Sequence, residues 1–255
     1  MSSVHLDKTK AIQLHQEGKG VQLHGIVDSK ILKAAVYGAN DGIITTFAVV
    51  VGVAGAGLPP SIVLILGIAN LIADGIAMGI GDYLGERSEQ GLKKYQYEVE
   101  KWEIANIHHE EKLELAAFFE KRKVKEPELN QLVTIISHYP ELWAELGFIE
   151  EMGSSPEATN HLWQTGFTTF WSFVLAGALP LLPYALRAVG LPITLQQEFP
   201  ASVIATGATL FFIGSLRTVL TKGRWWRNGL EMLAIGALAA VAAYIGGAVV
   251  KSLIH

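Results

Sequence analysis

The 255-residue chain contains no cysteine. Disulfides, thiolate zinc sites and cysteine nucleophiles are therefore excluded. Charge is also scarce: 17% of the residues are Asp, Glu, Lys or Arg, half are apolar, and the mean hydropathy is +0.32. That balance fits a small polytopic membrane protein better than a soluble domain. The polar segment from Met1 to Ser29 lacks the apolar core that a cleavable signal peptide needs, so no secretion is expected. Its histidines, His5, His15 and His24, are widely spaced and read as solvated tail residues rather than ligands. Missing too, between Glu98 and Glu151, is any Glu-x-x-His pair of the kind that di-iron carboxylate bundles place on each of two helices.

Against this background the distribution of charge is informative. The net charge of -4 conceals an acidic region: from Leu84 to Thr165 there are sixteen acidic and nine basic side chains, a local balance of -7. Apolar segments flank it. A first span is predicted from about Ile31 to Gly57, long enough for the roughly 30 Å hydrocarbon core, with Asp41 as its acidic residue. A carboxylate at that depth faces a cavity, a partner helix or an ion path; the alternative is an aspartate capping a broken helix, since Asn40-Asp41-Gly42 is turn-like. Gly38 and Gly42 form a small-xxx-small pair that allows close helix packing beside it. After the short Leu58-Pro59-Pro60 turn, a second, antiparallel span is predicted from about Ser61 to Leu84. Asn70, Asp74 and Met78 recur in it at i, i+4 and i+8 and so form one polar stripe, with Gly75 and Gly79 as a second close-packing edge. Asp41 is the natural partner for that stripe. Met78 adds a soft sulfur suited to a transition metal, although a lone methionine also serves as apolar filling.

Beyond Asp82 the helical pattern turns polar and is expected to continue into water. The stretch YEVEKWEIANIHHEEKLE, Tyr97 to Glu114, carries six glutamates and two adjacent histidines. At 100° per residue Glu100, Glu103, Glu111 and Glu114 fall within an arc of about 80°, yet the two pairs lie on the order of 16 Å apart along a straight helix. Either two ion sites exist or the chain bends near Asn106 to bring the pairs together. Four like charges on one face destabilise a helix unless cations offset them. The competing reading is a solvated face paired with Lys93, Lys94, Lys101 and Lys112. His108 and His109 point about 100° apart, so at most one of them faces such a site. A second amphipathic helix is expected from Glu128 to His138, and a third beginning at Pro140, whose Glu141 and Glu145 complete a site if the helices fold back. Residues 85–165 thus form a small helical metal-binding subdomain, between residues 30–84 and 166–255.

Three further spans are predicted, at about Gly166 to Val189, Ala201 to Val219 and Asn228 to Leu253, with Pro180 and Pro183 kinking the third. Basic residues give the sidedness: Arg217, Lys222, Arg224 and Arg227 cluster where span four ends and span five begins, Lys30 and Lys33 stand at the start of span one, and the turn after span one has none. The N-terminal tail, residues 1–29, and the acidic subdomain are then cytosolic and the C-terminus is on the other side.

Taken together, DGIITTFAVVVGVAGA in span one, ADGIAMGIGDYLGERSE in span two, the four-glutamate spacing, AELGF after Pro140 and ALPLLPY in span three resemble the vacuolar iron transporter family. The resemblance covers nearly everything from Ile31 to Leu253. It implies an all-α homodimer in the lipid bilayer, five membrane helices per protomer, exchanging Fe²⁺ for protons. Asp41 and Met78 match the carboxylate and thioether that line the family's path at the dimer interface. Glu100, Glu103, Glu111, Glu114 and Glu145 match its cytosolic metal-binding glutamates. Two positions depart from the pattern. Asn70 stands where plant and fungal-type members often have a glutamate, which shifts proton coupling toward Asp41 and Asp74. Glu141 stands near an expected methionine ligand, which makes the site harder and more tolerant of Mn²⁺. The resulting expectation is a divalent metal transporter rather than an enzyme, carrying Fe²⁺, with Mn²⁺ or Zn²⁺ as further cargo, and no prosthetic group or nucleic-acid partner. A membrane-anchored iron-binding sensor or ferroxidase is the alternative.

Overall fold

The computed structural model describes residues 29–156, 162–218 and 223–254. The expectations for His5, His15, His24 and Lys222 lie outside the described residues. Every regular element among the described residues is helical: α1 (Ser29–Ala56), α2 (Pro60–Asn106), α3 (His108–Lys121), α4 (Glu128–Ser137), α5 (Pro140–Met152), α6 (Leu162–Ala178), a 3₁₀ turn (Leu179–Leu181), α7 (Leu182–Ala188), α8 (Leu195–Leu216) and α9 (Trp225–Ile254). Five segments are long and apolar enough to cross a membrane: Lys30–Ala56, Pro60–Asn106, Leu162–Ala188, Leu195–Leu216 and Trp225–Ile254. The protein is therefore an integral, multi-pass helical membrane protein. At 1.5 Å per residue, α2 is about 70 Å long, more than twice the hydrocarbon thickness. Its apolar part ends near Leu84, so the polar remainder, including Glu100, lies outside the bilayer core.

The chain forms two compact units, one made of residues up to Ile80 and from Gln164 onward, the other of Gly81–Trp163. In the membrane unit, small residues set the packing. A Cβ on Gly38 would strike the Thr169 backbone and the Ser172 hydroxyl, and one on Gly42 the Phe173 backbone, so α1 lies directly against α6. Gly75 and Gly79 bring α2 onto Phe170 and Gly166 of the same helix. Both glycine pairs thus converge on α6, as close packing of membrane helices requires. Gly55 and Gly247 do the same between α1 and α9. The core holds Phe47, Val50, Val51, Val53, Val63, Leu71, Phe173, Leu181 and Tyr184.

Two proline effects shape this unit. Pro180 and Pro183 end the regular helix at Ala178 and convert the next turn to 3₁₀; the Ser202 hydroxyl donates to the Pro180 carbonyl at 2.6 Å, satisfying a backbone group near the break. Span four begins earlier than Ala201: α8 starts at Leu195 and carries Pro200 inside it. A capping box between Thr194 and Gln197 fixes that start and brings Glu198 into the helix.

The second unit is a bundle of the end of α2 with α3, α4 and α5. The helix breaks at Ile107 (φ -122°, ψ 39°), where its N–H donates to the Glu103 carbonyl at 2.7 Å and Asn106 Nδ2 donates to the Trp102 carbonyl at 2.7 Å. This is the bend that the spacing of the glutamates demands. Ile104, Leu115, Ile136, Trp143 and Ala144 fill the core, with Tyr97, Phe119, Val133 and Leu146 packed on it. Proline at the first position of α5 and left-handed Gly153 (φ 64°) after its end delimit that helix. Glu150 of α5 accepts from Lys121 at 3.0 Å and Arg122 at 3.1 Å and ties α5 to α3.

Candidate metal centre and intramembrane carboxylates

The bend at Ile107 folds α3 back so that Glu100 and Glu111 become electrostatic neighbours. Both are buried, at 4% and 5% exposure. A charged carboxylate is costly there unless paired. Among the described residues the charged groups that act most on them are glutamates, Glu103, Glu114 and Glu151 for both, with Glu110 added at Glu111, while Lys121, which also lines the site, pairs with Glu150 at 3.0 Å. Burial first, then this mutual repulsion, pushes each up to about 7 from the ordinary 4.5. Glu151 is raised as well, by burial and by Glu103 and Glu114. These groups surround a cavity of about 80 Å³ lined by Glu100, Glu111, Glu114, Trp143, Gly147, Glu150 and Glu151 among others. At about 30 Å³ per water, that is room for an ion and one or two waters.

Gly147 is what lets Glu100 sit there, because a Cβ at that position would overlap the Glu100 carboxylate. Among the described residues, no group of three or more His, Cys, Asp or Glu side chains is drawn together closely enough to hold an ion. Like charges repel at such a spacing without a cation, and Glu103, half-buried, and Glu114 and Glu151, exposed, are the members of the cluster not enclosed by the core.

The other residues singled out in this unit lie elsewhere. Glu141 is exposed, accepts from Lys101 Nζ at 2.8 Å and from the Tyr97 hydroxyl at 3.2 Å, and these bonds hold it below the usual carboxylate range. Glu145 is also exposed and acts on Tyr97. Neither lines the acidic cavity, whose α5 carboxylates are Glu150 and Glu151. The core decides this. Trp143, Ala144 and Phe148 are fully buried, and that face of α5 carries Gly147 and Glu151 inward while Glu145 sits roughly 120° away from Glu151. His108 stacks edge-on against Trp143 at 4.9 Å, with Nδ1 3.2 Å from the Ile104 carbonyl, and so serves the bend; His109 is exposed. The sequence signal that could have exposed Glu151 is its i+4, i+8 relation to Gly147 and Trp143.

In the membrane unit, Asp41 of α1 and Asp74 of α2 are electrostatic neighbours, as the stripe on α2 predicts. Asp41 is a helical residue, inside α1, not a cap: Thr45 Oγ1 donates to its carbonyl at 2.8 Å. Beside this pair the Asn40 side-chain oxygen and the Asn70 side-chain nitrogen are buried without hydrogen-bond partners. Met78 packs on the apolar core around Phe47 and Phe173. A half-buried carboxylate pair beside these amides offers carboxylate and amide oxygens that can ligate a cation, and an amide N–H that can donate to a carboxylate or a water.

The sequence model of the VIT family matches residues 32–248. Similar proteins include the vacuolar iron transporter of Plasmodium falciparum (isolate 3D7), 31% identical over 242 residues that cover 93% of this chain and 88% of the relative. Another is vacuolar iron transporter 1 of Arabidopsis thaliana, 31% identical over 222 residues, 87% of each. The vacuolar iron transporter of Plasmodium berghei (strain Anka) is 29% identical over 253 residues, 97% of this chain and 92% of the relative. With a family match spanning most of its length and five apolar spans, the chain belongs to the VIT family.

Proposed function

We propose that the protein moves divalent metal, Fe²⁺ first and Mn²⁺ second, out of the cytosol in exchange for protons, acting as a homodimer. The observation that carries this reading is the pair of buried carboxylates, Glu100 and Glu111, on which further glutamates act most strongly, the cavity's Lys121 being paired with Glu150 instead. Such a cluster is offset by a hard or borderline divalent ion, for which carboxylate oxygens are the natural ligands. On this reading Glu100, Glu103, Glu111, Glu114 and Glu151 gather the ion on the cytosolic side. Glu141 and Glu145 act, if the dimer brings them to bear, from the neighbouring face of α5. Asp41, with Asp74, Asn70 and the Met78 thioether on α2, receives the ion within the membrane, and protonation of a carboxylate there releases it. The iron preference is supported by the relatives, which are named vacuolar iron transporters. The orientation is supported by the basic residues Lys30, Lys33, Arg217, Arg224 and Arg227.

The test is flux of Fe²⁺, Mn²⁺ and Zn²⁺ side by side in vesicles holding the full chain. Fe²⁺ uptake accelerated by an acidic interior, with Mn²⁺ following and Zn²⁺ slower, is the expected result. Binding or oxidation of Fe²⁺ without flux would replace transport by a sensor or ferroxidase role.

A further inference from the structure

The bundle has a second buried acid, at the end where α1 turns into α2 and α7 meets α8. Glu198, in the first turn of α8, is 3% exposed. Its Oε1 accepts from Arg187 Nη1 of α7 at 2.9 Å, and the side chain of Arg187 is 40% exposed. Its Oε2 is buried with no hydrogen-bond partner. Glu198 also lines a cavity of about 380 Å³ whose wall includes Pro59, Ser61, Tyr184 and Arg187. The titratable and charged groups facing it there are Arg187 and Tyr184; Lys251 of α9 lies against Gly57 and is not part of that wall.

From Glu198 a polar line runs into the bundle. Ser202 and Thr206 follow at i+4 and i+8, buried at 0% and 1% exposure, on a helix whose next inward residues are Leu210 and Ile213. Thr206 Oγ1 has no hydrogen-bond partner, and neither has Thr46 Oγ1 on α1, the helix that carries Asp41. Apolar residues would fill such positions at lower cost, since each unmet buried hydroxyl or carboxylate oxygen is destabilising. Successive residues of the line stand about 6 Å apart along the helix. That is too far for one hydrogen bond of about 2.8 Å, so a proton passing along the line needs a water between each pair.

We infer that Glu198 is a proton relay, passing protons from the cavity at the α1–α2 turn into a water file along Ser202 and Thr206 toward α1. The inference rests on the proton exchange proposed above and adds the residue that admits the proton from the far side of the membrane. At Oε2 an O–H bond forms as a hydronium on the cavity side gives up its excess proton and is left as water, and breaks as that proton passes to the next water inward, which becomes hydronium and passes its own excess proton on. Glu198 is unchanged at the end of each passage. The Arg187 guanidinium, 2.9 Å away, offsets the charge of the buried carboxylate and holds its Oε1, leaving Oε2 for the passage.

The test reconstitutes the full-length parent, Glu198→Gln, Thr206→Val and Thr206→Ser in vesicles containing a pH-sensitive dye and records Fe²⁺ flux and proton counterflow together. Glutamine keeps the size and the Arg187 contact, and valine keeps the shape of threonine. Counterflow is expected to fall by about 100-fold in Glu198→Gln and Thr206→Val, as for loss of a positioned proton-transfer group, and to survive in Thr206→Ser. Quenching of tryptophan fluorescence by Mn²⁺ at the acidic cavity, where Trp143 forms part of the wall, is expected to match the parent in every variant. Should Glu198→Gln not fold, the Thr206 pair decides alone. Parent-like counterflow in the variants, with the parent coupled, overturns the relay and leaves exchange standing. Fe²⁺ flux without counterflow in the parent overturns both.

Discussion

Replacing Glu111 with glutamine removes a charge that the metal-free fold holds at a cost. Glu111 and Glu100 are each pushed up to about 7 from 4.5, so between those values the folded unit binds more protons than the unfolded chain. Stability is then greatest below about 4.5 and is lost as pH rises through about 7, the opposite of a carboxylate stabilised by a cation. Holding a carboxyl at about 7 instead of 4.5 corresponds to about 3 kcal/mol. Glu111→Gln mimics the protonated form. Without divalent ions at pH 8, hydrogen exchange over residues 97–121 and 140–152 of the full-length protein should slow in the variant by up to about 100-fold relative to the parent. At pH 4.5 the two should exchange alike. Adding Mn²⁺ at pH 8 should reverse the order, because ion binding stabilises the parent in proportion to its affinity and the variant has lost a ligand. Faster exchange in Glu111→Gln at pH 8 without metal, or a parent whose protection does not change with pH, would refute the account of the cluster as repelling acids awaiting a cation.

Three further outcomes follow from the same geometry. Glu151→Gln should weaken Mn²⁺ binding, read by tryptophan quenching, more than Glu141→Gln does, since Glu151 acts on Glu100 and Glu111 while Glu141 is held by Lys101 and Tyr97; equal effects would remove Glu151 from the site. Gly42→Ala should destabilise the bundle by about 1–3 kcal/mol, because the new methyl meets the Phe173 backbone, and this appears as a lower melting temperature in detergent. Gly147→Ala should displace the Glu100 carboxylate and reduce Mn²⁺ affinity although every glutamate is retained; an unchanged affinity would show that Glu100 is not held for the ion.

The sequence was most legible where one physical rule acts alone. Apolar length located the five spans, and small-residue spacing located both close-packing edges on α6. The bend at Ile107 was legible as well, because helical rise kept Glu100 and Glu111 apart in any straight rod. What stayed hidden depends on tertiary choice. Glu145 and Glu151 are both polar residues of one amphipathic helix, and only the burial of Trp143 and Phe148 decides which faces the cavity. Glu198 was passed over for a different reason. Proline usually marks a helix start, and Pro200 stands after Glu198; the capping box at Thr194 moves the start upstream and carries the acid into the bundle.

The central claim is that an ion gathered by the acidic cluster crosses the membrane through Asp41 in exchange for protons. Its most direct test is Fe²⁺ flux into acid-filled vesicles by Asp41→Ala beside the parent. Gradient-driven flux in the parent and none above background in Asp41→Ala, with Mn²⁺ quenching at the cluster unchanged, is the predicted result. An Asp41→Ala protein that carries Fe²⁺ as fast as the parent would contradict it.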